Sequence, residues 1–143
     1  MSTRRRGRER GSATLELVIV IPATLLLISA LIMAGRLALA KQAIQAVAYD
    51  TARAASVARD RATANSDAHR VAGFALASNG LSCQSTQLDV DTSGFERAAG
   101  QRATVTTTVT CTLPLGDLSL PGVPGTVTLT ADGVSPIDTY RER

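Results

Sequence analysis

Eighteen consecutive residues, Leu17 to Ala34, carry no charge. As a helix rising about 1.5 Å per residue they reach about 27 Å, close to the ~30 Å hydrocarbon thickness of a bilayer. A core helix of a small soluble domain presents a polar face, and this stretch has none. It therefore reads as a single transmembrane span, with Ala13, Thr14 and Gly35 extending its reach. Five arginines, Arg4, Arg5, Arg6, Arg8 and Arg10, precede it, whereas Arg36 and Lys41 follow it. The positive-inside rule then keeps the N-terminus in the cytoplasm and places everything after Gly35 outside.

Charge is distributed unevenly along the 143 residues, whose formal net charge is +3. Residues 1–11 hold five arginines and one glutamate, a net of +4; the other 132 hold ten basic and eleven acidic groups, a net of −1. The basicity belongs to the leader and not to the body. With no Trp, two Tyr and two Phe, the body lacks the basic, aromatic surface that nucleic-acid binding requires. Nucleic acid is excluded as a partner.

The helical pattern does not stop at Gly35. Leu37, Ala40, Ile44, Val47, Ala48, Thr51, Ala55, Ala58 and Ala62 recur at intervals of three and four. Alanine, the best helix former, dominates. One helix is expected from about Ser12 to Ala62, apolar all round in its first half and amphipathic in its second. Pro22 sits inside the apolar half, where a kink is expected. A short second helix follows, capped by Asn65 or Ser66 and stopped at Asn79-Gly80, with Val71, Phe74, Ala75 and Leu76 on its apolar side.

Beyond Gly80 the period changes to two. In "ATVTTTVTCTLPL" Ala103, Val105, Thr107, Val109, Cys111, Leu113 and Leu115 share one face, and threonines occupy the other. "TVTLTADG" repeats this with Val127, Leu129 and Ala131 inward. A weaker strand is expected through Leu81–Val90, and "DTSGFERAAGQ" and "GDLSLPGVPG" supply the turns. The fold class is α+β: a long N-terminal helix, a short second helix and a small three-stranded antiparallel sheet. The organisation is a basic leader (1–11), a transmembrane helix (12–35), its amphipathic continuation (36–62) and an extracytoplasmic domain (63–143).

Cys83 and Cys111 both fall on the outer side, where an oxidising compartment favours a disulfide; two free thiols are the alternative. Their spacing and the absence of a nearby histidine exclude a zinc site. Directly opposed strand positions are close enough for a bridge, but Leu88 and Val90 are out of phase with Leu81 and Cys83. A bulge or a diagonal meeting of the cysteines reconciles the two. The single histidine, His69, has no nucleophile frame around it and reads as a solvated helix residue. Asp89, Asp91 and Asp132 supply too few oxygens for calcium. No phosphate-binding glycine loop is present. The chain is not read as an enzyme, and no cofactor or metal is expected.

The set now assembled is an arginine-rich leader, Gly11, a small residue, Glu16, a long apolar helix and an outer α+β domain. It resembles the type IV pilin-like proteins, and more narrowly the TadE-like minor pilins (pseudopilins) of Tad/Flp pilus systems. The stretch "GSATLELVIVIPATLLLISALIMAGRLALAKQAIQAVAYDTARAAS" resembles the TadE-like N-terminal region along its whole length, Pro22 and the Gly35-Arg36 step included. The resemblance implies cleavage by a prepilin peptidase between Gly11 and Ser12, which makes Glu16 the fifth residue of the processed chain. It implies other pilin subunits, the pilus assembly platform and the lipid membrane as partners, and a single-pass cell-membrane location from which such a subunit enters or initiates a surface pilus. Cleavage frees an α-amino group at Ser12 that Glu16 of a neighbouring subunit can neutralise, a pairing that a low dielectric strengthens. The rival reading is a secretory signal peptide or a tethered binding domain, since Ala38-Leu39-Ala40 fits an A-x-A cleavage site.

Overall fold

The structure is a computed structural model and describes residues 9–98, 100–118 and 124–138. A single helix, α1 (Glu9–Val57), covers 49 residues, about 74 Å at 1.5 Å per residue. It runs on through Pro22. The sheet comprises β1 (Ser85–Asp91), β2 (Thr104–Pro114) and β3 (Thr126–Pro136). The strands are antiparallel in the order β1-β2-β3, so the expected α+β meander is present. One turn of 3-10 helix (Ser93–Glu96) joins β1 to β2, and a single helical turn, α3 (Leu115–Leu118), follows β2.

α1 ends at Val57, five residues before the expected boundary at Ala62. Asp60 adopts an extended backbone and caps α2 (Arg61–Ser78): its carboxylate accepts the Thr63 backbone N–H at 2.8 Å and the Thr63 hydroxyl at 2.8 Å. A side-chain acceptor at the N-cap satisfies a donor that the helix itself leaves unpaired. α2 is therefore 18 residues long rather than short, and Asn65 and Ser66 lie inside it instead of capping it. Its expected stop is present. Gly80 takes a positive φ of 68°, the Gly80 N–H reaches Ala77 O and the Leu81 N–H reaches Leu76 O. This is the glycine-terminated arrangement that ties off the last carbonyls of a helix.

The core lies between the outer part of α1, α2 and one face of the sheet. From α1, Ala40, Ile44, Val47, Ala48, Thr51 and Ala55 of the anticipated stripe are buried and Leu37 is half-buried; Ala58, just past its end, is buried too, whereas Ala62 belongs to the first turn of α2 and is exposed. α2 contributes Ala64, Ala68, Ala72, Ala75 and Leu76. Phe74 points outward, 76% exposed. An alanine face at 64, 68, 72 and 75 lets α2 approach α1 closely, and Phe74 falls off that face. The inward strand residues are those the alternation predicts: Val105, Thr107, Val109, Cys111 and Leu113 of β2 are buried, as are Leu129 and Ala131 of β3, with Val127 half-buried.

α1 and the sheet approach closely at Gly133. A Cβ there would lie 2.1 Å from the carbonyl oxygen of Ala48. Beside it, paired across the strands, the buried Thr107 hydroxyl donates to the same oxygen at 2.9 Å. Gln45 Nε2 donates to the Asp132 carbonyl oxygen at 2.7 Å, and the hydroxyls of Ser56 and Ser135 lie 2.9 Å apart. The helix is thus docked backbone-to-backbone, with hydrogen bonds on both sides of the contact.

Candidate assembly and membrane-anchoring site

The two halves of α1 differ in what surrounds them. From Glu16 to Gly35 every residue is exposed except the half-buried Ser29. Leu17, Val18, Ile19, Val20, Ile21 and the leucines 25–27 present their side chains to the outside. The most apolar stretch has a mean hydropathy of 2.8 and none of it is buried by the protein. Such a surface costs roughly 25 cal/mol per Å² in water, and a contiguous patch of this size marks a membrane or protein interaction. Thr24 and Ser29 turn their hydroxyls back onto the carbonyls of Val20 and Leu25, each at 2.8 Å. Their polar atoms are thereby satisfied within the helix, as an apolar solvent demands.

Glu16 stands at the N-terminal edge of this surface and is exposed. Gly11 and Ser12 belong to the backbone of α1, so Ser12 and Glu16, four residues apart, lie on one face, separated by one helical turn. The side chains of Arg10, Gly11 and Ser12 lie outside the described part, and Arg4, Arg5, Arg6 and Arg8 lie outside the described residues altogether.

Cys83 and Cys111 form a disulfide with a Cα–Cα distance of 5.4 Å. The strand register differs from the direct pairing considered from sequence. Cys111 pairs with Thr86, and Leu88 and Val90 pair with Val109 and Thr107. Leu88 and Val90 therefore share the inward face, which removes the phase conflict. Cys83 lies before β1 and reaches Cys111 from the segment that leaves α2. The Gln84 N–H, donated to Thr112 O at 2.8 Å, holds that segment against β2. The bridge ties the end of α2 to the middle strand.

His69 is exposed on α2. Asp89 and Asp132 flank Thr108 on the outward sheet face, and Thr108 donates to Asp132 at 2.7 Å. Among the described residues no three His, Cys, Asp or Glu side chains gather as a metal site. Two carboxylates are held below the ordinary range. For Asp60 the Thr63 backbone N–H is the main cause, and for Asp91 the Ser93 backbone N–H. Asp60 caps α2, and Asp91 closes a local turn by accepting the Ser93 N–H at 2.9 Å.

Three features were not singled out from sequence: the Gly133–Thr107 seat for α1, the Asp60 cap, and a cavity beside Arg36. A lone glycine inside an alternating strand is a signal for close backbone approach, and Gly133 carries that signal. Asp60 followed three residues later by Thr63 is a cap signal that the alanine-rich continuation masks.

The sequence pattern of the TadE-like protein family matches residues 11–53. The match therefore covers the exposed half of α1 and most of the docked half, and leaves α2 and the sheet outside it. No curated protein and no solved structure matches the chain.

Proposed function

We propose that this chain, TadE-like over residues 11–53, is a minor pilin or pseudopilin: a structural, membrane-anchored subunit for a Tad/Flp-type pilus or related secretion filament. The observation that carries the reading is the exposed apolar half of α1, continuous with the helix that docks on the α+β body and headed by Gly11 and Glu16. A prepilin peptidase cuts between Gly11 and Ser12, on the cytoplasmic side where the arginine leader is retained. Glu16 is then the fifth residue. A lone carboxylate near the apolar core costs a few kcal/mol, about 2.5–3.5 at the bilayer centre and less towards the edge. The new Ser12 amine of a neighbouring subunit offsets that cost and sets the stagger between subunits. Pro22 has no N–H to donate to the Val18 carbonyl, which loosens the span at that turn. The body, residues 63–143 with the outer part of α1, sits outside the membrane and meets other pilus components.

The signal-peptide alternative fares worse against the packing. Cleavage after Ala40 would strip Leu37 and the buried Ala40 from the core, and α1 crosses that point unbroken.

Intact-mass analysis of the membrane-bound protein tests the proposal. A chain beginning at Ser12 is expected; one still carrying Met1 or Ser2, or one beginning at Lys41, overturns it. In the Glu16→Ala variant processing is expected to proceed while filament assembly falls sharply. Normal piliation in that variant would remove the pairing role.

A further inference from the structure

The body has two ends, and the loops at them differ in charge. At one end α2 and β2 finish and β1 and β3 begin; there Leu81, Leu115 and Val127 pack with Leu37 and Ile44 of α1. At the other end Ala58, Ala64, Phe95 and Ile137 gather with Ala55. A cavity of about 400 Å³ between Arg36, Leu39 and the segment Asn79 to Ser82 puts the exit of α2 at the level of Arg36. At about 1.5 Å per residue, Leu37 stands about 4–5 Å and Ala55 about 32 Å beyond Ala34, the last residue of the charge-free run. The polar layer on each side of a bilayer is about 5–7 Å deep. With α1 across the bilayer, the first end therefore lies at the level of that layer and the second far above it.

Residues 79–84 carry no charge, and residues 114–125, PLGDLSLPGVPG, carry only Asp117. At the far end, residues 58–61 carry Arg59, Asp60 and Arg61, and residues 92–103 carry Glu96, Arg97 and Arg102. Charged side chains are the costliest to move from water towards lipid, so of the two ends only the near one suits a bilayer surface. Its turns are also closed within the protein. The Gly80 and Leu81 N–H groups reach α2 carbonyls, the Gln84 N–H reaches Thr112 O and the Leu115 N–H reaches Gly125 O at 2.9 Å. The Asn79 amide donates to Ala75 O at 2.8 Å. Donors satisfied in this way do not require water. Leu39 is 65% exposed, and Leu81 and Leu115 are half-buried, so the apolar surface of the span continues onto the underside of the body.

We propose that this near end, around Leu39, Leu81, Leu115 and Gly116, rests against the lipid interface of the outer leaflet. The proposal rests on the reading of α1 as a membrane anchor. Apolar surface at the boundary between headgroups and acyl chains holds a protein there in proportion to the area buried. α1 alone leaves the body free to tilt on the membrane, and the second contact restricts that tilt.

The sequence contains no Trp, so one introduced tryptophan is a unique fluorophore. The full chain is reconstituted in nanodiscs of phosphatidylcholine, with or without lipid brominated close to the headgroup or deep in the chain. Gly116→Trp enters open space, and Ser82→Trp an exposed position. Both are expected to emit at shorter wavelength than Val57→Trp, at the far end and 77% exposed, and to lose fluorescence to the shallow bromine. Val57→Trp is expected to respond to a water-soluble quencher instead, and Leu26→Trp to the deep bromine. Shallow quenching at either near-end position meets the proposal; quenching at neither overturns it, as does equal quenching of Val57→Trp. A shift to shorter wavelength without bromine quenching means that protein covers this end, and overturns the lipid contact. Leu26→Trp that escapes the deep bromine breaks the anchor reading, whereas Leu26→Trp quenched with both near-end positions unquenched breaks only the interface proposal.

Discussion

Leu26 and Val57 lie on the same helix and are almost equally exposed, 72% and 77%. Their own exposure does not tell them apart. Leu26 has apolar, exposed neighbours all round the helix, while Val57 is at the end of a segment whose opposite face is buried against α2 and the sheet. Exposure is therefore not one condition. In the first half of α1 it means that the protein provides no partner for a helix long and apolar enough to cross a bilayer. In the second half it is the ordinary outer side of an amphipathic helix. A single unbroken α1 joins these two settings, and Gly133 is where its second half meets the sheet.

The comparison can be broken at several points. The largest effect is expected from reducing the Cys83–Cys111 bridge, which closes a separation of 28 residues. The chain-entropy relation gives about 3.6 kcal/mol for a loop of that size, or a fall in melting midpoint of about 15–25 °C for a body of this size. Circular dichroism of the full chain in detergent, with and without reductant, checks it; membrane insertion should not change. Next is Gly133→Ala. Its Cβ collides with the Ala48 carbonyl, and the cost is about 3 kcal/mol, since neither backbone can yield. Gly35, with open space around it, accepts alanine without loss. Equal denaturation curves for the two variants would mean that the helix is not seated as described.

Insertion is the third point. Leu26→Arg places a charge near the centre of the span and should cost about 2.5 kcal/mol of insertion. Val57→Arg should leave insertion untouched and change stability by less than about 0.5 kcal/mol. Carbonate extraction of membranes from cells expressing each variant separates them. The smallest effect is acid sensitivity at the α2 cap. The Asp60 carboxyl titrates lower in the folded protein than in the unfolded chain, chiefly because of the Thr63 N–H. Its stabilisation is in place above the ordinary aspartate range and is lost as pH falls through the lowered folded value. Hydrogen exchange in the first turn of α2 should therefore gain protection less steeply with pH in Asp60→Asn, which keeps an acceptor but does not titrate. An identical pH response in both would remove Asp60 as the source.

Much of this was legible in the residues. The charge-free run, the alanine stripe and the threonine alternation each follow from a fixed period of side-chain direction, 3.6 for helices and 2 for strands. Those periods identified both halves of α1 and the inward faces of β2 and β3. Glycine's tolerance of positive φ marked the end of α2 at Asn79-Gly80. The misses share a cause. Alanine favours helix wherever it stands, so the run through Ala62 concealed the break that Asp60 makes by taking a side-chain acceptor's role. Phe74 was expected on the apolar side with Val71, Ala75 and Leu76, yet the α1–α2 contact selects small side chains, and Phe74 lies off the line of alanines. For Cys83, position in the strand pattern was a poor guide because the residue precedes β1.

Local chemistry in the sequence was sufficient for the membrane-length segment, the asymmetric arginine leader, the Gly11–Glu16 spacing and the α+β class. These depend on composition and short-range order, which the chain carries wherever it is placed. Three things required tertiary structure: the three-residue shift in strand register, the seating of Ala48 between Thr107 and Gly133, and the cavity that joins Arg36 to the end of α2. Each depends on which distant surfaces meet. That choice belongs to the packing of a whole helix against a whole sheet, where one missing Cβ at Gly133 decides how closely the two can approach.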